Sequence, residues 1–125
     1  MDAYIYRAAL WCPLCAREIK RKLKRLGEAP KNPNDEYSYD SGDYPKGPYP
    51  DGGGESDSPE YCHGCQVFLE NPLTGDGEDY VREAVLEDRE ARARGKKANP
   101  VVGEWKEFYD YIDYGDEDEE NEDEE

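Results

Sequence analysis

Apolar residues fall along this chain in short groups separated by polar stretches. Residues 3–11, Ala-Tyr-Ile-Tyr-Arg-Ala-Ala-Leu-Trp, open with aromatic and β-branched side chains and hold no breaker, which predicts a short strand. Residues 16–26 are rich in helix formers and place Ile19, Leu23 and Leu26 at i, i+4 and i+7, predicting a helix with Cys15 at its start and Gly27 at its stop. Periodicity then disappears: residues 28–60 hold six prolines, five glycines and four tyrosines among many acids, the make-up of a long acidic loop or tether. Val67, Phe68 and Leu69 form an apolar run able to pair with the first strand before Asn71-Pro72 turns the chain. Residues 76–79 read as a helix start with acids in the first turn, followed by a stripe of Tyr80, Val81, Ala84 and Val85. Arg89, Arg92, Arg94, Lys96 and Lys97 gather near its end, where cations suit the helix dipole and Gly95 can cap it. A last helix begins at Pro100, which suits a first helical position, and runs to about residue 111, with Val101, Trp105, Phe108 and Ile112 on its inner face.

Composition adds that the core must be small. The 125 residues allow one domain, and a hydrophobic content of 35% falls below the roughly 45–50% of ordinary soluble domains. With 38% charged residues, the chain cannot everywhere offset a backbone entropy loss of about 1–2 kcal/mol per ordered residue. Some other constraint must help close the fold.

The cysteines supply one. All four lie in two Cys-x-x-Cys pairs, Cys12/Cys15 and Cys62/Cys65. Two intervening residues let a tight turn aim both thiolates at one ion, and two such turns complete the four-ligand set of a structural Zn²⁺. A single structural Zn²⁺ of this kind contributes about 10–16 kcal/mol in small modules. The other readings are two structural disulfides, or a redox pair at Cys12 and Cys15. Residues 11–15, Trp-Cys-Pro-Leu-Cys, lie between a strand and a basic helix and resemble the active-site turn of glutaredoxins and thioredoxins. No later βαβ pattern accompanies that turn, and a redox pair leaves the second pair unexplained. His63 lies inside the second pair and reads as a bystander rather than a substitute ligand. Four thiolates close the coordination sphere, which argues against catalysis at the metal; no phosphate-cradling glycine motif is present and no catalytic residue is nominated.

Charge is distributed unevenly. The formal net charge is −16, yet residues 1–31 carry eight Lys or Arg against three acids, while residues 104–125 carry thirteen acids against Lys106. Arg17, Lys20, Arg21, Lys22, Lys24 and Arg25 make the first helix the dense basic surface of the chain, a candidate contact for nucleic acid. The opposite reading rests on the acids interleaved with tyrosines in residues 37–49 and with aromatics in residues 105–114. Carboxylates there would steer a basic protein and aromatic rings would supply contact area. A block of acids in residues 115–125 predicts a disordered tail. No run of eighteen apolar residues occurs, and residues 1–11 lack a secretory pattern, so the expectation is a soluble cytoplasmic protein without a membrane partner.

Residues 49–55 (Tyr-Pro-Asp-Gly-Gly-Gly-Glu), residues 62–74 (Cys-His-Gly-Cys-Gln-Val-Phe-Leu-Glu-Asn-Pro-Leu-Thr) and residues 79–84 (Asp-Tyr-Val-Arg-Glu-Ala) resemble a group of short phage and bacterial proteins. The likeness runs from residues 4–6 to residues 104–109 and leaves out the acidic tail. It implies a metal-binding accessory protein, phage-encoded and working in the host cytoplasm, and brings no activity or catalytic residue with it. The expectation is therefore an α+β zinc-knuckle or zinc-ribbon-like domain over residues 1–114. It would comprise a short β ribbon, a basic helix, a loop at 28–60 and two C-terminal helices. Its expected function is non-enzymatic: it binds a basic host protein, with nucleic-acid binding and thiol oxidoreduction as alternatives.

Overall fold

The computed structural model describes residues 1–115; the predicted acidic tail falls, from residue 116 on, outside the described residues. The architecture is α+β, a small antiparallel sheet with three helices. The predicted first strand is in fact a hairpin: β1 (Ala3–Tyr6) and β2 (Ala9–Trp11) pair in the register Tyr4 to Trp11, Ile5 to Leu10 and Tyr6 to Ala9. The turn between them places both Arg7 and Ala8 at positive φ, 51° and 61°, as a two-residue hairpin turn of the mirror-image type requires. Neither residue is the Asn or Gly that normally signals such a turn. Arg7 is held from outside instead: its N–H donates to the Ser41 carbonyl at 2.9 Å.

The loop at 28–60 is folded onto the sheet rather than tethered across it. It contributes β3 (Lys46–Tyr49), which lies beside β1 and gives the strand order β2-β1-β3. The position expected for residues 67–69 is thereby taken, and Phe68 instead makes an isolated antiparallel bridge with Tyr61. Tyrosines explain why a segment without periodicity packs: Tyr44 is buried with Tyr6 and Leu23, and Tyr39 stacks edge-on against Tyr44 with ring centres 5.4 Å apart.

The helices form close to expectation. Helix α1 (Pro13–Arg25) starts earlier than predicted because Cys12 caps it and Pro13 suits its first turn. Ala16 and Leu23 form its buried stripe, whereas Leu26 lies past the last turn and is exposed. Helix α2 (Gly75–Ala93) is capped by the Thr74 hydroxyl, which accepts from the Gly77 N–H at 3.1 Å, and buries Val81 and Val85. Both helices end in the same double hydrogen bond: Glu28 N–H to Leu23 and Gly27 N–H to Lys24 in α1, Lys96 N–H to Ala91 and Gly95 N–H to Arg92 in α2. Helix α3 (Pro100–Phe108) is capped by Asn99 and is shorter than predicted. Its inner face is also rotated. Val102, Trp105, Tyr109 and Ile112 are buried, while the predicted Val101 and Phe108 are exposed. The Tyr109 hydroxyl sets this rotation by donating to the Asn71 carbonyl at 2.6 Å.

Burial is divided among three apolar clusters: one around α2 and α3, one beneath the cysteines and one under α1. Asn71 joins segments that these clusters do not. It is fully buried; its side-chain oxygen accepts from the Glu60 N–H at 2.8 Å, and its amide donates to the carbonyls of Ser58 and Pro72 at 3.1 and 3.0 Å. Among the described residues no helix is long and apolar enough to cross a membrane.

Replacing Asn71 by Ala leaves a buried N–H and two carbonyls without their partner. We expect a loss of about 2–4 kcal/mol of stability, read from the urea midpoint. An unchanged midpoint would show that water replaces the amide at no cost.

Candidate metal centre

The two cysteine pairs reach the same point by different local structures. Cys12 follows β2 and caps α1, so its sulfur accepts from the Cys15 N–H at 3.5 Å while Cys15 lies in the first helical turn. Cys62 and Cys65 belong to a tight turn closed by Gln66 N–H to Cys62 O at 3.0 Å and Cys62 N–H to Val67 O at 2.9 Å. Gln66 adopts a φ of 66°, which reverses the chain so that Phe68 returns beside Tyr61. The Gly64 N–H donates to the Cys62 sulfur at 3.3 Å, and the His63 N–H fastens the whole turn to the Leu10 carbonyl of β2 at 2.8 Å.

Together they bring all four sulfurs within 4.8 Å of one another. The Cys12 and Cys65 sulfurs are 3.7 Å apart, which matches the edge of about 3.8 Å in a tetrahedron whose sulfurs lie about 2.3 Å from a central ion. No disulfide is formed; all four cysteines are free. Cys12 and Cys62 are buried, Cys15 is partly covered and Cys65 is exposed, so the cluster has one side toward solvent. The donor set is compatible with one bound metal ion.

The electrostatics indicate what a bound ion would change. Burial pushes the Cys12 thiol up, and burial with the neighbouring thiols pushes Cys15 up to about 12. Burial opposes ionisation of Cys62 as well, but backbone hydrogen bonding around Cys12, Cys65 and Gly64 outweighs it and brings that thiol down to about 6. Cys62 therefore ionises readily while Cys12 and Cys15 resist. A cation at the centre reverses that resistance, because a coordinating thiol is deprotonated outright.

Close packing shields the site. Trp11 lies against the second turn, with its ring centre 5.0 Å from that of His63, and a Cβ on Gly64 would stand 3.1 Å from the Trp11 ring and 3.2 Å from the Cys15 sulfur. His63 is outside the ligand set; its imidazole is exposed and engaged with Trp11. Spacing alone singled out the four cysteines that the fold brings together. The support from Trp11 and Gly64 was not legible, because it depends on the hairpin bringing residue 11 over residue 64.

The predicted basic residues lie on α1 beside this centre. Arg17, Arg21, Lys22, Lys24 and Arg25 are exposed. Lys20 is partly covered, with its ammonium 4.7 Å from the Tyr4 ring centre and 5.7 Å from that of Tyr44. Burial and Lys24 lower its pKa. Arg21 pairs with Glu18 at 3.0 Å; among the described residues Arg17, Lys22, Lys24 and Arg25 make no ion pair. No family model, curated protein or solved structure matches the chain.

Two outcomes follow from this geometry. Loading the metal near pH 7 must displace at least the protons of Cys12 and Cys15, so apparent affinity should fall about 100-fold or more per unit of acidification, measured by chelator competition. A slope shallower than two protons would contradict the raised thiols. Gly64→Ala should weaken metal binding about 10-fold in the same assay by crowding Trp11 and Cys15.

Proposed function

We propose that the chain is a non-enzymatic, zinc-stapled binding module whose partner is a basic protein. Zinc is the metal of choice for four convergent thiolates, which satisfy its tetrahedral preference and leave no open position for substrate. Convergence of both pairs also favours metal over thiol oxidoreduction, which needs only Cys12 and Cys15. Failure of the metal-free protein to reduce a model disulfide would agree.

The observation that supports the partner reading is the outer face of α3. With Val102, Trp105, Tyr109 and Ile112 turned inward, Val101, Glu104, Glu107, Phe108, Asp110 and Tyr111 are left exposed. Tyr80 of α2 is exposed too, its ring 5.9 Å from that of Trp105. Apolar contact area is thus interleaved with carboxylates, a surface suited to a cationic protein. The resemblance to phage-borne proteins makes a host protein the natural source.

A second reading has its own observation, the exposed cations of α1, of which Arg17, Lys22, Lys24 and Arg25 make no ion pair among the described residues. Nucleic acid would meet Arg17, Lys20, Arg21, Lys22, Lys24 and Arg25 there, opposed at long range by the net charge of −16.

The two readings separate in one experiment. The triple change Glu104→Gln, Glu107→Gln and Asp110→Asn, and separately removal of residues 115–125, should reduce recovery of basic proteins from a host extract. Equal recovery in both cases would end the acidic-surface reading. Binding of a labelled 20-mer DNA or RNA (roughly two helical turns) that falls steeply with salt, and vanishes when the α1 cations are neutralised, would put nucleic acid in its place.

A further inference from the structure

Beside the outer face of α3 is a groove of about 320 Å³ lined by Asp51, Glu70, Pro72, Phe108, Tyr109 and Tyr111. Three consecutive ring contacts shape it. Tyr109, buried and tied to Asn71, meets Phe108 with ring centres 5.0 Å apart at 81° and Tyr111 with centres 6.3 Å apart at 82°. Phe108 and Tyr111 are exposed on either side of it in sequence, so the groove offers aromatic surface that the fold itself does not cover. Phe108 is anchored from within by an edge-on contact with Phe68 at 5.4 Å. Its ring is a fixed wall, not a loose surface side chain.

Charge is one-sided. The lining holds the carboxylates of Asp51 and Glu70 and no Lys, Arg or His, and among the described residues neither acid makes an ion pair. Glu78 and Glu55 add to the same field, since both act on the Tyr111 hydroxyl, whose pKa is raised by burial first and then by these carboxylates. Aromatic faces and unpaired carboxylates call for a flat cation. A guanidinium stacks on a ring while its N–H fork engages a carboxylate, whereas an ammonium is more strongly hydrated and acts as a point charge.

We infer that this groove is the anchor point for an arginine side chain of the basic partner. The inference rests on the proposed binding of a basic protein and names the contact that would select it. Arginine enters between Phe108 and Tyr111 with its guanidinium toward Glu70 and Asp51, and the flanking residues of its peptide run along the exposed acids of α3.

The test uses the metal-loaded protein and three short peptides that differ at one central position: arginine, lysine or uncharged citrulline, each between glycines and serines. Titration calorimetry should show the arginine peptide binding more tightly than the other two. Phe108→Ala and Glu70→Gln should each weaken it about 5-fold, while Lys22→Ser on α1 should leave it unchanged. Both variants alter exposed side chains, and an unchanged urea midpoint would confirm that they fold. Equal affinity for all three peptides, or indifference to both groove variants, would overturn the anchor. If basic proteins were still recovered by the wild type in that case, the broader partner reading would stand without it. If none were recovered either, both would fall together.

Discussion

Four thiols held within 4.8 Å of one another cannot all ionise without a cation among them, and the rest of the structure depends on how that constraint is met. Two thiolates 3.7 Å apart repel by about 4 kcal/mol even at the effective dielectric of a protein surface. The chain nevertheless spends its β2–α1 junction, the turn after Tyr61 and the ring of Trp11 on bringing them together. Coordination of a cation would replace that repulsion by attraction. An ion bound there would join the first fifteen residues to a turn about fifty residues later, reinforcing the small apolar cluster of Ala3, Cys12, Cys62 and Leu69 that already links them.

The modest core has a second consequence. Where an ordinary domain would use a continuous apolar interior, this one uses polar junctions between separate clusters. Asn71 ties the segment after the cysteine turn to residues 58 and 60 and, through its carbonyl, to Tyr109. Trp105 donates to the Tyr61 hydroxyl at 2.6 Å, and Arg89 donates to the Tyr114 carbonyl, so the C-terminal helix and the turn that follows it are fixed by hydrogen bonds as much as by burial. Buried polar groups of this kind specify one arrangement, because misplacing any of them leaves an unsatisfied partner.

What could be read in the sequence were features carried by local chemistry. Ligand spacing named the four cysteines, Pro100 opened α3 and Gly27 and Gly95 marked the helix ends. What could not be read were features decided by distant partners. The Arg7-Ala8 turn lacks the usual turn residues and exists because Ser41 accepts from it. Strand β3 contains Gly47 and Pro48, poor strand residues, and joins β1 because Tyr44 and Tyr39 anchor the segment before it. The inner face of α3 differs from the predicted one because Tyr109 is buried, packed on Phe68 and bonded to Asn71, and both faces carry aromatic residues that could have been buried.

The stretch from Cys62 to Asn71 is short and engaged along its length. Its first residues supply Cys62 and Cys65 to the cysteine cluster, Phe68 enters the helical cluster, Leu69 lies beneath the cysteines, Glu70 lines the groove and Asn71 braces Tyr109. Metal centre and groove are therefore two ends of one braced segment. Were an ion bound at one end and a ligand at the other, any effect of the first on the second would, by thermodynamic reciprocity, be returned by the same factor. The two ends are thus linked by a single short run of chain, so a shift at either is passed to the other.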